Sequence, residues 1–476
     1  MAEEKKQDDL MRKVLSTFII LFFLTSLIGH LYAQTNKKIP PKFEWVKKAG
    51  GSRYDHAHDV VTDSQDNIYI TGFFEREADF GEAIISSSKG GYDIFIAKMD
   101  KQGTMVWVKQ AGGKNNDEGK SIAVDDEDNL YITGHFMSQA TFGTRKLSSR
   151  GKRDIFIAKY DSKGDLLWVN QAGGLGEDRG NGITTDKSNN IIITGAFVGE
   201  AKFGGRSLNS SGGSDIFVAK YNGEGRLLWV KQMGGNSYDL GYAVSVDQRK
   251  NLYVTGYFKG KATVDGLSLI SNGDRDIFVA HYYSNGEMGW VKKAGGPFWD
   301  YGYSIVADEM EGVYVTGFFF DKAVFGRRSL VASDQNDVFL AKYSNKGHLI
   351  WVEQAGGTSY DRGKSIAIDR RGGVYLSGHF KTETKFGEVR LTAHGLYDLF
   401  IAKYDTNGIF QWLNHAGGNG YDDGSAITLN REGNIIIAGS YSAYRQPAFF
   451  DDIVLESQYF DIFVGTLNQN QREELN

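Results

Sequence analysis

No cysteine occurs anywhere in the 476 residues. That excludes disulfides, thiolate zinc sites, a thiol nucleophile and any lipid anchor attached through sulfur. Proline is nearly missing, four residues against 60 glycines, so proline-rich linkers are excluded and tight turns between short elements are expected. Neither sign of charge dominates: 54 Lys and Arg meet 59 Asp and Glu, for a net charge of −5, with no long blocks of either. The electrostatic footprint of a phosphate-backbone binder is lacking, and no nucleic-acid partner is expected. One uncharged run, "VLSTFIILFFLTSLI" at residues 14–28, spans roughly 22 Å as a helix, short of the ~30 Å hydrocarbon layer.

That run reads as the core of an export signal covering residues 1–33, with small Ala33 before the cleavage point and Met11, opening the basic "MRK", as the true start. A retained signal anchor is the alternative. The expected location is extracytoplasmic: extracellular, cell surface or periplasm, with no membrane association once the signal is removed. A polar lead (34–43), a repeat domain (44–468) and a polar tail (469–476) follow.

What is present is repetition. The stretch "WVKKAGGSRYD" returns six times, with its tryptophan at Trp45, Trp107, Trp168, Trp229, Trp290, Trp351 and Trp412, in steps of 62 and then 61. "DIF" or a variant begins at Asp93, Asp154, Asp215, Asp276, Asp337, Asp398 and Asp461, and a "TG"-like glycine falls at Gly72, Gly134, Gly195, Gly256, Gly317, Gly378 and Gly439. Three markers in phase give seven units. Within a unit, segments such as "NGITTD", "NIIITGAF", "DIFVAKYN" and "RLLWVKQMGG" are rich in Ile, Val, Phe and Tyr and bounded by turn residues, so each reads as a strand. Runs such as "IIIT" place apolar groups on both faces, so each sheet must be covered twice. The fold class expected is all-β: a seven-bladed β-propeller of four-stranded blades, with a linear solenoid as the alternative. The leading strand "FEWVKKAG" and the trailing "DIFVGTLN" complete one sheet between them, so closure by their pairing is expected. Only the interval from the TG glycine to "DIF" varies in length, at 21, 20 (five times) and 22 residues, which places insertions in a single connecting loop.

The unit "DIFIAKYDSKGDLLWVNQAGG", followed by "SIAVD" and "NLYITGHF", resembles the SBBP (seven-bladed β-propeller) repeat of exported bacterial proteins. The resemblance implies an extracytoplasmic propeller, often part of a surface protein, and carries no shared catalytic residues.

Repetition separates scaffold from site. Asp55, Asp117, Asp178, Asp239, Asp300, Asp361 and Asp422 recur in every unit, as a residue needed for one turn should. Buried indoles packing between blades explain the tryptophans in the same way. The residue before that Asp varies, and five of seven are aromatic: Tyr54, Tyr238, Trp299, Tyr360 and Tyr421. With Phe298, Tyr301 and Tyr303 in "GGPFWDYGYS" they form the candidate ligand-binding set, suited to sugar faces or a peptide if exposed, and to wedge packing if turned inward. His56 and His58 form half of a metal site at best, with no third ligand close in sequence. His135 and His379 occupy equivalent positions four blades apart. "DDEDN" (125–129) reads as a hairpin turn. No catalytic residue, metal ligand or cofactor is assigned. The leading expectation is an exported, non-enzymatic module, a monomer, binding a protein or glycan at the cell surface through its loop face. A propeller enzyme such as a polysaccharide lyase or hydrolase, and a structural envelope component, stay open.

Overall fold

The computed structural model describes residues 39–81, 83–86, 90–309, 312–443, 446–457 and 459–469. The export signal, the Met11 start and all of the tail after residue 469 lie outside them. The unit Pro41–Asn476 stands by itself. It is all-β, with no helix among the described residues.

The third copy shows how a unit is built. Arg179–Thr185 pairs with Ile191–Phe203, which pairs with Arg206–Tyr221, which pairs with Leu227–Gly235, every pair antiparallel. Asp186 makes the first turn: its carboxylate accepts the N–H groups of Ser188 (2.8 Å) and Asn190 (3.1 Å), an Asx turn with Asn189 at φ 55°. "DDEDN" behaves alike, with Asp125 accepting from Glu127 and Asn129 at 2.9 Å each. Ile191, Ile192 and Ile193 are all fully buried, so both sheet faces are covered.

The first strands of the units are His56–Thr62, Glu118–Val124, Arg179–Thr185, Leu240–Val246, Tyr301–Ala307, Arg362–Ile368 and Asp423–Leu429. Each lies against the next, and Asp423–Leu429 lies against His56–Thr62. The leading strand Phe43–Gly51 pairs antiparallel with Asp461–Leu467, with Val46 opposite Gly465 and Ala49 opposite Ile462. It thereby shares a sheet with Asp423–Leu429 and Ile435–Tyr441.

The connecting loop expected between second and third strands is not a loop. It is a hairpin continuing both strands, with Phe203 opposite Arg206 and Glu200 opposite Asn209. Its near arm also pairs with the previous sheet, Gly174 opposite Ala201. Backbone groups at the rim thus find partners in a neighbouring sheet instead of in water. The repeated "AGG" is the other half of this junction. A Cβ on Gly235 would stand 1.7 Å from the Lys261 carbonyl oxygen, a contact only a shift of backbone could relieve. Gly235→Ala is therefore expected to cost about 1–3 kcal/mol, read as a lower urea midpoint. Gly205→Ala, where the added carbon would meet nothing within 4 Å, should leave the midpoint in place.

The tryptophans bind sheet to sheet. Trp168 Nε1 donates to the Gly223 carbonyl (3.1 Å) and Trp290 Nε1 to that of Asn345 (2.7 Å), each partner 55 residues ahead in the next sheet.

Candidate functional site

The recurring aspartates hold the framework for the site. Asp239, fully buried, accepts the N–H of Gly235 and of Lys259, both at 2.9 Å. Asp117 accepts from Gly113 (2.6 Å) and Met137 (2.8 Å), and Asp300 from Gly296 (2.7 Å) and Phe320 (3.1 Å). Asp55, Asp178, Asp361 and Asp422 make the same two bonds. Each carboxylate thus ties the end of one sheet's outer strand to the second strand of the following sheet. Burial pushes Asp117, Asp239 and Asp300 up to about 7, and Asp55, Asp361 and Asp422 to about 8.

Variation begins one residue later. Side chains alternate along a strand, so the residue after each Asp and the one two further on share a face. These pairs are His56/His58, Glu118/Lys120, Arg179/Asn181, Leu240/Tyr242, Tyr301/Tyr303, Arg362/Lys364 and Asp423/Ser425. The contacts between them run from unit to unit. Ser425 Oγ is 3.1 Å from His56 Nε2, the His56 and His58 rings are 4.5 Å apart, and His58 Nε2 is 3.0 Å from Lys120 Nζ. Lys120 Nζ lies 2.5 Å from Glu118 Oε2, and Glu118 Oε1 lies 3.6 Å from His135 Nε2. Further round, Tyr242 meets Tyr303 (4.9 Å) and Tyr257 (6.0 Å), and Tyr257 meets Tyr301 (4.7 Å). The Arg275 guanidinium lies over Tyr257 (5.1 Å) and Trp299 (5.8 Å) and bonds the Tyr301 hydroxyl. Arg362 lies over Phe318 (5.0 Å) and Lys364 over Tyr303 (4.7 Å).

Burial sets the charge states. It lowers His56 and His135 to about 4 and His58 well below its ordinary value, leaving neutral imidazoles. It lowers Lys120 as well. Glu118 is desolvated too, but His135, His58 and Lys120 hold it well below the carboxylate range; Asp423 is held down likewise by Lys364 and His379. These two carboxylates are neutralised internally. Arg362, Lys364 and Lys381 have ring partners, Lys381 lying 5.6 Å from the Tyr397 centroid and 5.8 Å from that of Tyr360. Among the described residues none of the three has a carboxylate within ion-pair distance, and Arg362 Nε is buried without a partner.

Of the aromatic residues singled out above, Tyr301 and Tyr303 belong to this cluster and Trp299 borders it, 52% exposed. Phe298, 46% exposed, leans on Phe320 (5.2 Å). Tyr54 stacks on Phe460 (5.4 Å), which also meets Tyr421 (5.8 Å), and Tyr421 stacks on Tyr397 (5.0 Å). Tyr54 and Tyr421 therefore share one aromatic row. Tyr360 meets Lys381, which also lies over Tyr397 of that row. Tyr238 stands exposed against Gly213 and joins neither group. Among the described residues His56 and His58 belong to no group of three potential metal ligands, and His58 instead faces Lys120 (3.0 Å) and Glu118 (3.4 Å). His135 and His379 have separate partners, Glu118 and Asp423 (2.8 Å). Reading only the residue before the repeated Asp missed Glu118, Lys120, Arg179, Arg362, Lys364 and Asp423. The signal was the position just after that Asp, where seven units carry six residue types.

Residues 106–135, 228–257 and 350–379 match the SBBP beta-propeller repeat. Each match runs from the outer tryptophan strand to the residue after the TG-like glycine. The chain is 24% identical over 498 residues to an uncharacterized WD repeat-containing protein, L264, of Acanthamoeba polyphaga mimivirus, covering 84% of this chain and 36% of that protein. It is also 24% identical over 184 residues to the regulatory protein FlaEY of Caulobacter vibrioides, covering 37% of this chain and 19% of that one. It therefore spans well under half the length of either relative. Among solved structures, a PL25 ulvan lyase aligns at TM-score 0.45 with 12% identity, over 84% of this chain and 93% of that one. The WD40 domain of Pan2 from Neurospora crassa aligns at 0.42 with 8% identity, over 90% and 98%. The SBBP beta-propeller repeat is thus detected three times in the chain, in the second, fourth and sixth occurrences of the tryptophan strand.

Proposed function

We propose that the seven units form a closed seven-bladed propeller and that the protein is an exported, non-enzymatic binding module for an acidic glycan. Closure is supported by the pairing of Phe43–Gly51 with Asp461–Leu467 and by the circuit of first strands. The ligand would seat at the end where those strands begin. The observation that carries this reading is the set Arg362, Lys364 and Lys381, cations held against Tyr303, Phe318, Tyr360 and Tyr397; among the described residues none has a carboxylate within ion-pair distance, Lys364 acting on Asp423 only at longer range. Guanidinium and ammonium groups supply donors to a uronate or sulfate, and ring faces pack on the apolar faces of the sugar. Glu118 and Asp423, tied to their own partners, do not oppose an anion strongly.

Isothermal titration of the purified protein against a polyuronate and an uncharged glucan tests it. Saturable, salt-sensitive binding of the polyuronate alone is expected, with the polymer recovered unshortened. Arg362→Ala with Lys364→Ala should weaken it roughly a hundredfold, as expected for two charged hydrogen bonds. Equal binding of both polymers, or an unaffected double variant, refutes the reading.

A further inference from the structure

We infer that His394, Asp398 and His415 form a site for one divalent transition-metal ion of the zinc class. Asp398 opens the strand Asp398–Tyr404, His415 stands on its neighbour Phe410–Ala416 opposite Phe400, and His394 precedes Asp398 by four residues. One potential ligand atom of each lies within 4.8 Å of the other two. His394 Nδ1 is 2.7 Å from Asp398 Oδ2, and the imidazoles stack at 5.3 Å and 6°.

The other units show what this arrangement replaces. At the position of His415 four of them carry glutamine, whose amide N–H donates to the local aspartate, as from Gln171 to Asp154 and Gln354 to Asp337, both 2.6 Å. An amide nitrogen has no lone pair for a metal; a neutral imidazole has one. At the position of His394 the other units carry Ser, Asn, Arg or Lys. Imidazoles occur at both positions in this unit alone, beside an aspartate present in all seven.

The chemistry selects the ion. Two imidazoles and one carboxylate suit zinc, copper, nickel or cobalt, whereas calcium and magnesium require a shell of oxygens. Asp398 is fully buried, and the His394 backbone N–H donates to it at 3.1 Å, which orients the carboxylate as an outer partner does. The His394 side chain is 53% exposed, so its rotation can tighten the triangle and water can complete the shell from the solvent side.

The test uses the full chain, stripped with a chelator and titrated with Zn²⁺ by calorimetry and with Co²⁺ by visible absorption. One equivalent should bind, Zn²⁺ should raise the melting temperature, and Co²⁺ should give the d–d bands of a low-symmetry, nitrogen-containing site. His415→Gln, which installs the residue of four sister units, and His394→Ser should each weaken binding at least about tenfold, the least that loss of even an outer partner costs. His348→Gln, an exposed histidine elsewhere, should bind as the parent does. The inference is overturned if the parent shows no saturable binding, or if either His415→Gln or His394→Ser binds Zn²⁺ as tightly as the parent.

Discussion

A chain beginning at Ser52 is expected to lose its cooperative thermal transition. The deleted strand buries Phe43, Val46 and Ala49, and the Phe43 ring meets Phe450 edge-on at 5.3 Å. Trp45 lies under Gly103 of the next sheet. Two large apolar side chains at about 1.5–3 kcal/mol each and a ladder of backbone bonds at about 1 kcal/mol each come to roughly 5–10 kcal/mol. That matches the whole stability of a typical native state, about 5–15 kcal/mol. Deletion also bares Ile462, Phe463 and Val464, almost fully buried in the parent, as an open apolar edge that invites association. Calorimetry should show a broad or absent transition and size-exclusion chromatography should show aggregates. A synthetic peptide of residues 39–52, added in excess, should restore the transition in part. A deletion variant that melts within a few degrees of the parent would show that strand pairing contributes little, and would remove the main support for closure.

Stability is also expected to rise as pH falls from 8 to about 6.5. The seven turn aspartates carry folded-state values raised by burial, from about 6 at Asp178 to about 8 at Asp55, Asp361 and Asp422, against about 3.9 in an unfolded chain. A raised carboxyl binds its proton more tightly when folded. Its contribution is complete below the unfolded value and is lost as pH rises through the folded one. One such site supplies about 1.4 kcal/mol per pH unit, so even a fraction of seven moves the melting midpoint by several degrees. Below about 6.5 the sign reverses for another set. His56, His58, His135 and His379 are buried and lowered, so the unfolded chain takes up protons there that the folded chain refuses. The histidines oppose the aspartates but are outnumbered four to seven, so the expected profile is a steep rise from pH 8 to about 6.5 and a shallower rise below it, measured by thermal melts in matched ionic strength from pH 5 to 8.5. A flat line from 8 to 6.5, or a fall, would show that the turn aspartates are charged in the folded protein.

Much of the architecture was legible before any coordinates. The seven-fold spacing, the strands and the hairpin turn at "DDEDN" all follow from residues within one unit. The hairpin between second and third strands was not legible, because "EAKFGGRSLNS" is polar and glycine-rich and reads as loop. It is ordered by pairing with a glycine pair in the preceding sheet. The candidate site was half legible: Trp299, Tyr301 and Tyr303 lie in or beside it, whereas Arg362, Lys364 and Glu118 are single charges that no local pattern sets apart.

By itself the sequence determined what repeats: an all-β chain of seven like units, since strand, turn and buried carboxylate are set by patterns a few residues long. Only the tertiary structure decided which unlike residues meet. His58 reaches Lys120 across 62 residues and Ser425 reaches His56 across 369. Contacts at such separations depend on how sheets pack around one another. No local periodicity encodes them.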